Sequence, residues 1–94
     1  MVTTYVFKKE DTVKLEFEIY DYDQTTLIDP DTVVFRIRRG SSVILEETPS
    51  KKEVGKYETY VSIGETGFYI GELEITYLSY KSVSRFYIKV VEVE

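Results

Sequence analysis

The sequence predicts an all-β sandwich of about seven short antiparallel strands, and three observations carry that prediction. Residues 12–20 alternate strictly, with Val13, Leu15, Phe17 and Ile19 on one side and Lys14, Glu16, Glu18 and Tyr20 on the other. Such alternation describes a strand with one buried and one wet face, as in an antiparallel sheet packed on another. Ten Thr, nine Tyr and five Phe accompany abundant Val and Ile, while Ala is absent. These β-branched and aromatic side chains suit a pleated surface, and the commonest filler of helical faces is missing. Finally, Gly, Pro, Asp and Ser clusters punctuate the chain at the spacing of short strands.

Each element follows in order. Residues 2–7 read as an opening strand of unclear phase, followed by the alternating strand already described. Val33, Phe35 and Ile37 form the next inward set, with Val34, Arg36 and Arg38 opposite. Arg39-Gly40-Ser41-Ser42 is a short hairpin loop into residues 43–47. Residues 49–54 are polar and read as a loop or a protected edge, since proline and paired lysines discourage edge-to-edge pairing. Tyr57, Thr59, Val61 and Ile63 point inward next, and Tyr69, Gly71, Leu73, Ile75 and Tyr77 continue that pattern. A turn near residues 79–82 leads to the last strand, where Phe86, Ile88 and Val90 alternate with Arg85, Tyr87 and Lys89.

Composition narrows the chemistry. Ninety-four residues make a single domain spanning 1–94. Without cysteine there is neither a disulfide framework nor a thiolate metal site, and without histidine no Ser-His-Asp mechanism. A net charge of −5 favours solubility and disfavours non-specific nucleic-acid binding. No apolar run approaches a membrane span, and a strand begins almost at Met1, so neither membrane insertion nor a signal peptide is expected.

Three segments together resemble one family. Residues 21–33 (Asp21-Tyr22-Asp23, then Leu27-Ile28-Asp29-Pro30-Asp31) are similar to the second-to-third strand loop of bacterial and phage immunoglobulin-like domains, a pattern macroglobulin-like domains share. Val54-Gly55-Lys56-Tyr57 resembles that family's Gly-x-Tyr strand start. Glu65-Thr66-Gly67-Phe68-Tyr69, entering an alternating run, resembles the tyrosine corner. The resemblance implies an immunoglobulin-like β-sandwich. Gln24-Thr25-Thr26 replaces the family's usual Asp-Gly, Gly71 stands where antibody-type domains carry cysteine, and Trp is absent. The implied branch is the disulfide-free microbial or viral one.

Several clusters have the right residue types for chemistry. Asp21, Asp23, Asp29 and Asp31 are candidate calcium ligands, because calcium takes several oxygens from a flexible loop. The same aspartates also suit turn formation through their own backbone. Glu16/Glu18 and Glu72/Glu74 each lie two residues apart on a strand, roughly 6.5–7 Å, a spacing that overlaps glycosidase pairs and equally describes a wet sheet face. Arg36, Arg38 and Arg39 match cross-strand pairing with Glu46 and Glu47 better than base stacking. Tyr20, Tyr60 and Tyr87 fall on outward faces, with Tyr22 and Tyr80 at strand ends. Tyrosine offers rigid contact area for a protein or a glycan partner.

The expected function is a non-enzymatic structural or interaction module, foremost a capsid or tail accessory protein of a phage or virus. It would act by homo-oligomerisation through tyrosine-bearing faces or an edge strand. The alternative is a carbohydrate- or calcium-dependent adhesive domain of a microbial surface protein. The virion is the favoured location, with the cell surface, as part of a longer chain, second. Calcium is the one candidate cofactor.

Overall fold

Among the described residues eight strands form, seven of them where alternation or turn signals place one. A computed structural model describes residues 4–21 and 25–92. Strands β1 (Thr4–Lys8), β2 (Val13–Glu18), β3 (Thr32–Arg39), β4 (Ser42–Glu47), β5 (Ser50–Glu53), β6 (Lys56–Val61), β7 (Gly67–Tyr77) and β8 (Tyr80–Val91) follow one another along the chain. They build a five-stranded sheet in the order β1-β8-β7-β3-β4 and a three-stranded sheet in the order β2-β6-β5. Among the described residues no helix is long and apolar enough to cross a membrane.

Two features depart from the expected seven antiparallel strands. The eighth strand is β5, lying in the lysine-bearing stretch read as a loop or protected edge; it pairs with β6 and shifts register between Lys51 and Glu53. A bulge and two lysines are what blunt an exposed edge. The second departure is β1, which runs parallel to β8 rather than antiparallel. No hairpin ties these two strands, so nothing imposes the antiparallel sense. The chain instead crosses to the other sheet after β1, where Lys9 N–H donates to Val91 O at 2.8 Å and Glu10 N–H to Ile63 O at 2.9 Å. The undefined phase of β1 resolves with Phe7 buried and Tyr5 edge-on to Phe86, at 5.4 Å between centroids.

The core lies between the sheets. Leu15, Ile19, Val33, Phe35, Ile37, Tyr57, Val61, Tyr69, Ile88 and Val90, all expected inward, are buried, as is Ile63. Val13, Phe17, Leu73, Ile75 and Phe86 are half-buried around them. Phe35 and Phe86 stack at 6.1 Å with an 11° interplanar angle, and Phe17 reaches across from the other sheet to both. Gly71 makes room for this cluster, because it faces Phe86 in the β7–β8 register. A Cβ there would sit 2.4 Å from the Phe86 ring.

Tyr69 forms the expected corner. Its hydroxyl donates to the Glu65 carbonyl at 2.7 Å, while Arg39 lies over the ring at 5.2 Å and binds the Glu65 carboxylate at 2.6 Å. At the other end of the β7–β8 ladder the hairpin turns at Leu78 and Ser79, slightly ahead of the expected place, with both φ angles positive.

Gly71→Ala is expected to destabilise the fold by about 1–3 kcal/mol through overpacking. In a Phe86→Leu background the same substitution should cost much less, because the residues couple through direct contact. Urea denaturation of the four proteins measures this, and an undiminished cost in the double variant would contradict the packing account.

Candidate interaction site

The acidic loop is committed to internal contacts where it is described. Asp29 accepts from Lys51 Nζ at 2.7 Å and from Gly55 N–H at 3.0 Å, with the Tyr57 hydroxyl 3.5 Å away. The Lys51 hydrogen bond and then the Gly55 amide hold the Asp29 carboxyl below its usual range. Gly55 has φ +71, and a Cβ on it would lie 2.8 Å from Leu27, so the loop can close this tightly only over glycine. Asp31 Oδ2 accepts from the Leu78 amide at 3.2 Å, and Asp31 N–H donates to Thr76 O at 2.7 Å. Asp21 N–H donates to Thr26 O at 2.8 Å. Asp23 and Tyr22 lie outside the described residues. Among those described, no three acidic side chains converge as a metal site.

The tyrosines are dispersed. Tyr87 lies on the outer face of the five-stranded sheet, and Tyr60 on the outer face of the other, across from Lys14. Tyr20 bridges to Leu27 and donates to Glu18 at 3.2 Å. Tyr80 opens β8 beside the hairpin turn and is 79% exposed. Together with Asp21, Ile28, Ile75, Tyr77 and Ser82 it lines an open cleft of about 580 Å³.

The outer face of the five-stranded sheet is the most differentiated surface. Register places Thr4, Tyr87, Ile70, Arg38 and Val43 in one row across β1, β8, β7, β3 and β4. The next row toward the hairpin is Arg85, Glu72, Arg36 and Glu46, and beyond it come Val83, Glu74 and Val34. On the other side lie Val6, Lys89 and Phe68. Charged rows and an apolar end therefore share one face.

The charged rows form a grid of ion pairs. Glu72 is only 4% exposed, and its two oxygens meet Arg38 Nε at 2.5 Å and Arg85 Nε at 2.7 Å. Arg36 joins Glu46 at 2.5 Å to Glu74 at 3.1 Å, and Lys81 reaches Glu74 at 3.5 Å. The Arg36–Glu46 pairing is as expected, but Glu47 turns toward Thr59 of the other sheet instead of an arginine. The Arg38 hydrogen bond overcomes the opposing effect of burial and, with Arg85, holds the Glu72 carboxyl below its usual range. Arg36 does the same for Glu74, and Lys52 for Glu16. A general acid needs the opposite shift, so these glutamates have the electrostatics of paired face charges.

Beside the grid lies the apolar end. Phe68 is 71% exposed, Val6 65% and Tyr87 48%; with Thr4, Ile70 and Gly40 the two aromatics border a depression of about 370 Å³. Lys89 Nζ stands 5.6 Å from the Phe68 ring centroid. Sequence reasoning found Tyr87 here but missed Phe68, Val6 and Ile70. The signal for Phe68 was its phase, since it neighbours the inward Tyr69 on an alternating strand and must point out. No family model, curated protein or solved structure matches the chain. Fold and surface thus define a class: a two-sheet all-β domain with one charge-locked, aromatic-tipped face.

Glu72→Gln should cost about 1–3 kcal/mol at neutral pH, because two guanidiniums lose their shared counter-charge. The folded-state pKa of Glu72 is depressed, so its contribution is present above the unfolded value near 4.5 and lost as pH falls through the folded one. Melting temperatures of wild type and variant are therefore expected to converge in acid, and an equally wide gap at about pH 2 would contradict this account.

Proposed function

We propose that this chain is a non-enzymatic structural and interaction module of the immunoglobulin-like kind, serving as a capsid or tail accessory component of a phage or virus virion. The observation that carries the interaction reading is the cluster of exposed Val6, Phe68 and Tyr87 around half-buried Ile70, beside the ion-pair grid of the same face. Contiguous exposed aromatic and aliphatic side chains mark contact surfaces. The immunoglobulin-like assignment is supported by the Tyr69 corner and by the two-sheet strand order. It is also supported by the way Gly71 and the Phe35–Phe86 stack occupy the centre that a disulfide holds in antibody domains. The virion setting rests on the sequence resemblance of residues 21–33, 54–60 and 65–69.

A carbohydrate- or calcium-dependent adhesive domain of a microbial surface protein is the second reading. What favours it is the cleft that joins Tyr77 and Tyr80 to Asp21 and Ser82, an aromatic platform beside hydrogen-bonding groups.

Light scattering on the eluting 94-residue chain separates the two. The expected result is a discrete mass above the 11.0 kDa of one chain. A mass of one chain at every concentration transfers the reading to the adhesive domain, whose own mark is a change in tyrosine fluorescence on adding oligosaccharides.

A further inference from the structure

We infer that copies of this chain associate head-to-tail, the aromatic-tipped outer face of the five-stranded sheet seating on the acidic remainder of a second copy. The inference rests on the self-associating reading above and adds the geometry of the contact. Its basis is a division of charge that the sequence alone does not reveal. Alternation and register place Lys8, Arg36, Arg38, Lys81, Arg85 and Lys89 on that face, with only Glu46, Glu72 and Glu74 among them. Half of the chain's twelve cations thus lie with three of its seventeen carboxylates, a local charge of +3 on a chain of −5. Among the described residues, twelve carboxylates and six cations lie elsewhere.

The excess is also placed where it matters. Within the grid, Arg38 and Arg85 share the single carboxylate of Glu72. Lys89 stands over Phe68, and Lys8 follows Val6 along the outward side of β1, so positive charge borders the apolar end of the face. A two-fold contact through this face would set each positive rim against its own copy, and like charges juxtaposed across an interface oppose association. The strongly negative remainder of another copy is the complementary surface, and a field of this kind steers encounter as well as fixing orientation. Contacts between two different patches close into a ring or grow into a filament, either of which suits a structural component.

The test uses wild type and a Phe68→Ser/Tyr87→Ser variant, whose changes fall on exposed side chains and should leave the melting temperature unchanged. Wild type is expected to associate, about tenfold more weakly on passing from roughly 0.05 M to 0.5 M salt. The variant alone should be monomeric. Fluorescently labelled variant should nevertheless bind wild type, because its acidic surface is intact and finds the unaltered face of a wild-type copy. If labelled variant fails to bind while wild type associates, the face meets its own kind and the head-to-tail contact is wrong. Association that ignores both salt and the variant places the contact elsewhere and overturns this inference alone. A wild type that stays monomeric removes the self-associating reading along with it. Binding of a single-stranded oligonucleotide that the variant loses would make nucleic acid the occupant instead.

Discussion

The contact between Gly71 and Phe86 is where the rest of the structure takes its register. A chain without cysteine holds its two sheets together without a disulfide, and here three phenylalanines meet between them. Phe86 lies across Gly71 of the neighbouring strand, stacks on Phe35 from β3, and meets Phe17 from the opposing sheet. Any side chain at position 71 would push the ring away. Because side chains alternate along a strand, slipping β8 by one residue would turn its inward set out and its outward set in. The pairing of glycine with an aromatic ring therefore fixes which residues reach solvent on the far side of the same sheet.

That far side shows how a buried carboxylate is tolerated. Glu72 neighbours Gly71 in sequence and so faces outward, yet it is almost inaccessible because Arg85, opposite it on β8, and Arg38, one row away on β3, both fold over it. Arginine stems cover apolar surface while their planar heads satisfy both carboxylate oxygens. The arrangement concentrates charge at the middle of the sheet and leaves the end near β1 to aliphatic and aromatic groups. The partition of this face into a rigid grid and an apolar tip is thus a consequence of the β3–β7–β8 register.

Much of this was legible in the sequence, and the failures have a common cause. The alternation of β2 and the corner at Tyr69 are local patterns and formed as expected, and so did the Arg36–Glu46 pair across a short hairpin. What escaped depends on partners far along the chain. The parallel placement of β1 requires β8, more than seventy residues away. Asp29 reads as one member of an acidic cluster until Gly55 and Lys51 arrive to engage both of its oxygens. Glu47 has the charge to pair with arginine, but a register shift between Ile37 and Arg38 in the β3–β4 ladder changes the strand's alignment, and Glu47 meets Thr59 instead. Phe68 and Val6 became a patch only when the ladder set them on either side of Lys89.

The β7–β8 ladder finally separates the two functional readings in space. At one end the strands carry Phe68, Tyr87 and Lys89; at the other they turn through Leu78 and Ser79, beside Tyr77 and Tyr80. Two consecutive left-handed residues with neither glycine nor asparagine are costly for a hairpin turn. Asp31 offsets part of that cost by accepting the Leu78 amide and donating to Thr76. The acidic loop therefore shapes the hairpin and, through Asp21 and Ile28, one wall of the cleft beside it. A ligand in that cleft would depend on the loop and the strained turn, whereas association through the outer face would depend on Gly71, Phe86 and the ion-pair grid. Changes at one end of the ladder would accordingly disturb one proposed contact while leaving the geometry of the other intact.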